Sequence, residues 1–237
     1  NPSSTVNDPG AITECDGAPT ADIVFTGSDP SITYNWTNTN TGIGLPVAGT
    51  GDISSFIATN LTNDPIQATI EVTPELNGCD GTAQTFTIDV NPSPEMDVPA
   101  DQTICVTNNS VPVIFASNVL GTSYTWTNDN TNIGLGNNGT GDILSFTTVN
   151  NGNILDTANI TVIPTFNGCE GTAIEFDFIV TPVLEVDFIA DTILCAGEEF
   201  AGINFSGNVP NLSFEWSNNN ISIGLPSNGT GDISNFT

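Results

Sequence analysis

Hydrophobic and polar residues alternate along this chain in short runs, each closed by Gly, Pro, Asn or Asp. In Ile66-Gln-Ala-Thr-Ile-Glu-Val72 the positions Ile66, Ala68, Ile70 and Val72 face one way, while Thr69 and Glu71 face the other. A period of two over such a run predicts a half-buried β-strand. The same reading predicts strands over Ala21–Phe25, Ile32–Trp36, Ile53–Ala58 and Thr85–Val90. Phe86, Ile88 and Val90 then point inward, as do Phe176, Phe178 and Val180 further on, with Glu175 and Asp177 outward. Helix signals are absent. Short alternating strands between turn residues predict a β-sandwich.

The pattern repeats. Tyr34-Asn-Trp36, Gly42-Ile-Gly-Leu45 and Gly49-Thr-Gly-Asp-Ile53 return as Tyr124-Thr-Trp126, Gly134-Leu135 and Gly139-Thr-Gly-Asp-Ile143. They return again as Phe214-Glu-Trp216, Gly224-Leu225 and Gly229-Thr-Gly-Asp-Ile233, each step being 90 residues. A fixed period of that size predicts a tandem array of one folded unit. The expected division is a first β-sandwich repeat over 1–94, a second over 95–184 and an incomplete third over 185–237, so that the chain reads as a window on a longer array. Phe25, Trp36, Leu45, Phe56 and Phe86, with Phe115, Trp126, Leu135, Phe146 and Phe176, are the expected cores. Those aromatics could instead form a carbohydrate platform, but their alternation places most of them inside. The boundaries Val90-Asn-Pro-Ser-Pro-Glu95 and Val180-Thr-Pro-Val183 predict stiff, extended linkers. The Gly-rich segments 42–51 and 132–141 predict tight turns; with no following Lys and no helix they are not phosphate cradles.

Charge narrows the function. The chain has 27 acidic residues and no Lys, Arg or His among its 237 residues. Nucleic-acid binding, which needs cations against phosphate, is excluded, and so is polybasic contact with a membrane. No internal salt bridge between side chains can form, so the fold must rest on apolar burial, backbone ladders and disulfides. Mutual repulsion favours solubility. No run approaches the ~20 apolar residues of a membrane helix, so no direct membrane insertion is expected.

Lacking His and Lys, the chain cannot build the Ser-His-Asp, Cys-His or Ser-Lys arrangements. A carboxylate pair is the catalytic class that remains. Asp52, Asp142 and Asp232 recur, without a second recurring carboxylate beside them; the expectation is a turn Asp bonding local backbone N–H groups, and no enzyme. No cofactor is expected, calcium being the ion the composition leaves open. Its candidate ligands are Glu95, Asp97 and Asp101 at the first linker and Glu185, Asp187 and Asp191 at the second. Thr157 and Thr192 sit in Asp-Thr-aliphatic triplets that resemble an O-glycosylation motif of Bacteroidota.

The five cysteines obey the period: Cys15, Cys105 and Cys195 in one position, Cys79 and Cys169 in the other. Two pairings fit. Cys15–Cys79 and Cys105–Cys169, each 64 apart, would staple a repeat internally; Cys79–Cys105 and Cys169–Cys195, each 26 apart, would join neighbours. Connectivity does not follow from spacing. The internal pairs are the expectation, because a small domain then carries its own cross-link, and Cys195 would pair beyond the window. Free buried thiols are the third reading. Paired cysteines imply export to an oxidising compartment.

Tyr34-x-Trp36-Thr-Asn, Gly42-Ile-Gly-Leu45, Gly49-Thr-Gly-Asp52, Ile70-x-Val-Thr-Pro74 and Asn77-Gly-Cys79 together resemble the PKD-like/Ig-like tandem repeats of giant Bacteroidota cell-surface adhesins, the flavobacterial gliding-motility adhesin among them. Trp36 is followed by Thr-Asn rather than by the Phe-Gly-Asp-Gly of the standard PKD signature. The resemblance implies an all-β chain of tandem Ig-like/PKD-like β-sandwich domains arranged as beads on a rod. It also implies type IX secretion and an outer-surface location. The expected function is a structural and adhesive stalk of a secreted filament, serving surface attachment and gliding motility. Its expected partners are surface or polysaccharide ligands, neighbouring repeats of the same chain, and outer-membrane anchoring machinery elsewhere in the protein. A glycan-binding repeat module and a spacer of a secreted polysaccharide-degrading enzyme are the alternatives.

Overall fold

The computed structural model describes residues 4–237. The first sheet contains β1 (Ile12–Cys15), β2 (Thr33–Asn38), β3 (Ala48–Thr50), β4 (Ile66–Leu76), β5 (Cys79–Asp80) and β6 (Gln84–Asn91). Its order is β1-β6-β4-β2-β3, with β5 on β4. The second sheet repeats this order with β7 (Gln102–Cys105), β8 (Ser123–Asn128), β9 (Asn138–Thr140), β10 (Asp156–Phe166), β11 (Cys169–Glu170) and β12 (Ile174–Thr181). A hairpin of β13 (Glu215–Ser217) and β14 (Asn228–Thr230) follows. The chain is therefore all-β: two tandem β-sandwiches and a small hairpin.

The alternating runs fall where their period places them. Ala68, Ile70 and Val72 on β4 and Ile88 and Val90 on β6 are essentially inaccessible, and Tyr34 and Trp36 share the buried face of β2. Ile66, at the start of β4, is only partly buried. Each fully buried Ile or Val contributes about 1.5–3 kcal/mol of burial. Of the expected cores, Phe56 and Phe146 are also partly buried, packed against the edge of their clusters.

The second layer is less regular than the alternation suggests. Ala21–Phe25 and Ile53–Ala58 are extended and bury Ile23, Phe25, Ile53 and Ala58. Yet they meet only at isolated pairs, Pro19 with Ile57 and Ile23 with Ile53. The cause is that side chains take the donors a continuous ladder would use. Asp52 Oδ1 accepts from the Phe25 N–H at 2.8 Å, Asp22 Oδ1 from Ser55 N–H at 2.7 Å, and Thr20 Oγ1 from Phe56 N–H at 3.0 Å.

Two strands lie outside the alternating runs. β1 and β7 run parallel to β6 and β12 at the sheet edge. The Gly-rich segments hold a turn of 3₁₀ helix at 41–43, 131–133 and 221–223, followed by left-handed Gly44, Gly134 and Gly224. At Gly44 both constraints act: φ is +92°, and a Cβ would run into the Ile57 carbonyl. Asn supplies the buried polar contacts in a chain without cations. Asn38 and Asn128 donate to the carbonyls of Leu45 and Leu135, and Asn60 and Asn150 to those of Val90 and Val180.

The first linker is not a free spacer: β6 continues to Asn91, and Pro92 and Pro94 are buried. Among the described residues, no helix is long and apolar enough to cross a membrane.

Candidate functional site

The joint between the two sandwiches is built from the ends of two strands. β1 lies parallel to β6, with Cys15 opposite Asn91, so Cys15 reaches the end of the first sandwich where the chain leaves for the second. A turn follows at once: Gly17 is left-handed at φ +79°, and the Asp16 N–H donates to the Asn91 carbonyl at 2.9 Å. From the other side, β10 runs back toward the first sandwich and turns into β11 through Asn167-Gly168, both left-handed at φ +47° and +85°. Asn-Gly with two positive φ values is the dipeptide that a tight hairpin requires. The turn delivers Cys169 to Cys15.

Cys15 and Cys169 form a disulfide with their Cα atoms 5.5 Å apart, closing a sequence separation of 154 residues. This differs from both expected pairings. Cys79, Cys105 and Cys195 are free and exposed, so neither the internal pairs Cys15–Cys79 and Cys105–Cys169 nor the neighbour pairs Cys79–Cys105 and Cys169–Cys195 form. The reason is directional. A repeat's strand-end cysteine lies at its C-terminal end, whereas its hairpin cysteine lies at its N-terminal end, a strand length away. The partner within reach belongs to the next repeat.

Polar contacts support the bond. Asn167 donates to Asn91 Oδ1 at 3.4 Å, and Asn118 donates to Asn63 Oδ1 at 3.1 Å across the joint. Asn118 also accepts the Glu95 N–H at 2.8 Å and thereby holds the linker. At Gly171 a Cβ would strike the Pro94 carbonyl, so only Gly permits this approach. A disulfide of this kind belongs to an oxidising compartment, which places the chain outside the reducing cytosol.

The six candidate calcium ligands are not gathered into a site. Glu95, Asp97, Asp101, Glu185, Asp187 and Asp191 are all exposed. Among the described residues, no three acidic, Cys or His side chains are placed to hold a metal. Asp101 instead accepts the Asp177 N–H at 2.8 Å, and Asp187 accepts the Ser206 hydroxyl at 2.6 Å. Thr157 lies on β10 and Thr192 precedes the third strand-end cysteine; both are exposed.

Asp52, Asp142 and Asp232 do not bond locally. Each accepts the N–H of a Phe 27 residues earlier: Phe25, Phe115 and Phe205, at 2.8, 2.9 and 2.9 Å. They tie the Gly-Thr-Gly-Asp turn to the second layer. Behind each turn, Gly49, Gly139 and Gly229 lie flat against Trp36, Trp126 and Trp216, where any Cβ would enter the indole. The three indole N–H groups are buried without a hydrogen-bond partner. Burial pushes the Tyr34 phenol above its ordinary pKa, and the negative charge of Asp52 adds to this.

A hollow of about 620 Å³ borders Leu194, Phe200, Leu225, Ile233 and Phe236. The equivalents of Leu225 and Ile233 in the sandwiches, Leu45 and Ile53, are core residues beneath β4 and β6. The hollow is thus an uncovered core face.

Comparison with known proteins adds little identity. No family model matches, and no curated protein matches. Several solved structures resemble the chain. The DIP-gamma IG1+IG2 pair is 8% identical, over 76% of this chain and 98% of that one, with a TM-score of 0.39. Drosophila N-cadherin EC1-4 is 12% identical, over 76% and 49%, at 0.37. The insect immune protein hemolin is 10% identical, over 90% and 61%, at 0.37. At these scores the likeness carries no argument about ligand or partner.

Proposed function

We propose that this chain is a structural and adhesive stalk segment of a long secreted filament at the outer cell surface. The observation that carries this reading is the covalent joint. A bond that spans 154 residues from one repeat into the next resists extension along the array, which a load-bearing stalk needs and a free-swinging binding module does not. The uniform negative charge suits a solvated filament whose neighbours repel one another. On this reading surface attachment arises from many weak contacts along repeated units, acting together through avidity. Secretion by the type IX route and a role in gliding motility follow from the resemblance to Bacteroidota adhesin repeats, as does attachment to anchoring machinery elsewhere in the protein.

The test compares the full chain in solution with the same chain coupled densely to beads. Glycan arrays and polysaccharide-coated glass under flow report on the two forms. The stalk reading expects negligible capture of the single chain and shear-resistant attachment of the beads. Micromolar binding of the single chain to one glycan class would instead make it a glycan-binding module and contradict the stalk reading.

A further inference from the structure

Cys79 and Cys105 occupy the same places in their repeats as Cys169 and Cys15, the two cysteines already joined, and both are exposed and free. Their surroundings carry the same geometry as the bonded pair. Asn77-Gly78 is left-handed at φ +55° and +78°, as Asn167-Gly168 is at +47° and +85°, so the hairpin that presents Cys79 is already in its bonding shape. At the other end Cys105 lies opposite Thr181 on β12, as Cys15 lies opposite Asn91 on β6. The turn after it is also the same, with Thr107 left-handed at φ +69° in the place of Gly17. A left-handed Thr is costly for a β-branched residue. The same backbone bonds close both turns: Thr107 N–H donates to the Thr148 carbonyl at 3.0 Å and Asn108 N–H to that of Cys105 at 3.1 Å, as Gly17 does to Ala58 at 2.9 Å and Ala18 to Cys15 at 3.1 Å.

We infer that Cys79 and Cys105 are two open halves of the joint disulfide, each matched to a further repeat of this same kind. Cys105 takes the hairpin cysteine of a complete repeat stacked on the C-terminal end of the second sandwich. Cys79 takes the strand-end cysteine of a repeat stacked on the N-terminal end of the first. The bond forms by thiol–disulfide exchange with a small-molecule disulfide such as oxidised glutathione. The two protein thiols lose two protons and two electrons as the protein S–S bond forms, and the glutathione S–S bond that breaks takes them up and leaves as two thiols. Occupant and orientation follow from the structure, because residues 185–237 begin that next repeat at the end where Cys105 waits. Asn208 there pins Glu185 through its N–H at 3.0 Å, as Asn118 pins Glu95.

The consequence is an interlocked chain. Cys105 lies inside the loop closed by Cys15–Cys169, so a bond from Cys105 to a hairpin 154 residues on overlaps the first loop. Along such an array the covalent path under tension runs from Cys169 to Cys195 and then across the next bond. Only those 26 residues in every two repeats are then free to stretch. The inference concerns the joint and not what the filament binds, and its test reads thiols rather than adhesion.

Two extended chains test it. One appends a second copy of residues 148–184 after Thr237, completing the third repeat in register. The other places a second copy of residues 1–90 before Asn1. Each is refolded with oxidised glutathione, alkylated without reduction, digested with pepsin and mapped by mass. The expected result is one new linked peptide in each: Cys105 with the added hairpin cysteine, and Cys79 with the added strand-end cysteine. Recovery of Cys79 and Cys105 as alkylated thiols in both extended chains would overturn the inference. So would a bond from Cys195 to the added hairpin cysteine, because that pairing lies within one repeat. The second chain adds a complete sandwich, so a folding failure confined to the first leaves the test intact.

Discussion

Cys79 and Cys169 sit on the same hairpin in successive repeats, with the same Asn-Gly turn and the same flanking strands. One is exposed and free, while the other is 1% exposed and bonded to Cys15. The difference lies wholly in what is docked against the hairpin. At Cys169 the end of the first sandwich presents the strand-end Cys15 and Asn91, whose Oδ1 accepts from Asn167. At Cys79 no sandwich is docked among the described residues. The interior of a repeat is therefore a property of the repeat, whereas the state of its cysteines is a property of the joint.

The largest expected effect separates these two hairpins under force. Pulled from its ends, the native chain shields the 154-residue segment between Cys15 and Cys169. Reduction or Cys169→Ser should release roughly 500 Å of added contour, at ~3.3–3.6 Å per residue. Cys79→Ser should release none, and a force trace showing equal gains for both would break the comparison. In solution Cys169→Ser should cost about 2–5 kcal/mol of stability. Cys79→Ser should stay within about 0.5 kcal/mol, read by urea melts.

A smaller effect sharpens the contrast between packed and open repeats. Asp142→Ala removes the acceptor for the partly buried Phe115 N–H and should cost about 1–3 kcal/mol. Asp232→Ala removes the same bond to the half-buried Phe205 where the bond itself is open to water, and should be close to neutral. Equal losses at the two sites would mean that the turn, and not its burial, sets the value of the bond.

Salt acts on every repeat alike. With 27 negative charges and no cationic side chain, screening has only repulsion to relieve. Raising NaCl should stabilise the chain by on the order of 1 kcal/mol, read as a rise in its melting temperature. A fall in melting temperature with salt would contradict this.

The smallest effect is specific to the first sandwich. The Tyr34 pKa is raised in the folded state by burial and then by Asp52. The folded state therefore holds this proton more tightly than the unfolded chain does. That contribution is complete below the ordinary tyrosine pKa of about 10 and is lost as pH rises through the folded value. Tyr34→Phe should flatten the alkaline decline of the first sandwich's melting transition, and an unchanged slope would rule the contribution out.

Much of this was legible in the residues. The period located Trp36, Trp126 and Trp216, and strict alternation gave β4, β6, β10 and β12 their buried faces, because burial on one side leaves a direct trace in sequence. β1 and β7 left little trace. Ile12-Thr-Glu-Cys15 and Gln102-Thr-Ile-Cys105 are short edge strands with one face partly in water, and a parallel edge needs no neighbouring turn signal. Missing them hid the direction in which Cys15 and Cys105 face, and the pairing with it. The carboxylates of Asp52 and Asp142 looked local because sequence gives no sign of a backbone donor 27 residues away.

The central claim is that the repeats are joined to one another rather than stapled within themselves. Non-reducing mass mapping of the native 237-residue chain tests it directly, with pepsin because there is no Lys or Arg for trypsin to cut. The account predicts a single linked peptide pair, Cys15–Cys169, with Cys79, Cys105 and Cys195 recovered as alkylated thiols. Linked pairs Cys15–Cys79 and Cys105–Cys169 would contradict it and return each sandwich to an autonomous bead.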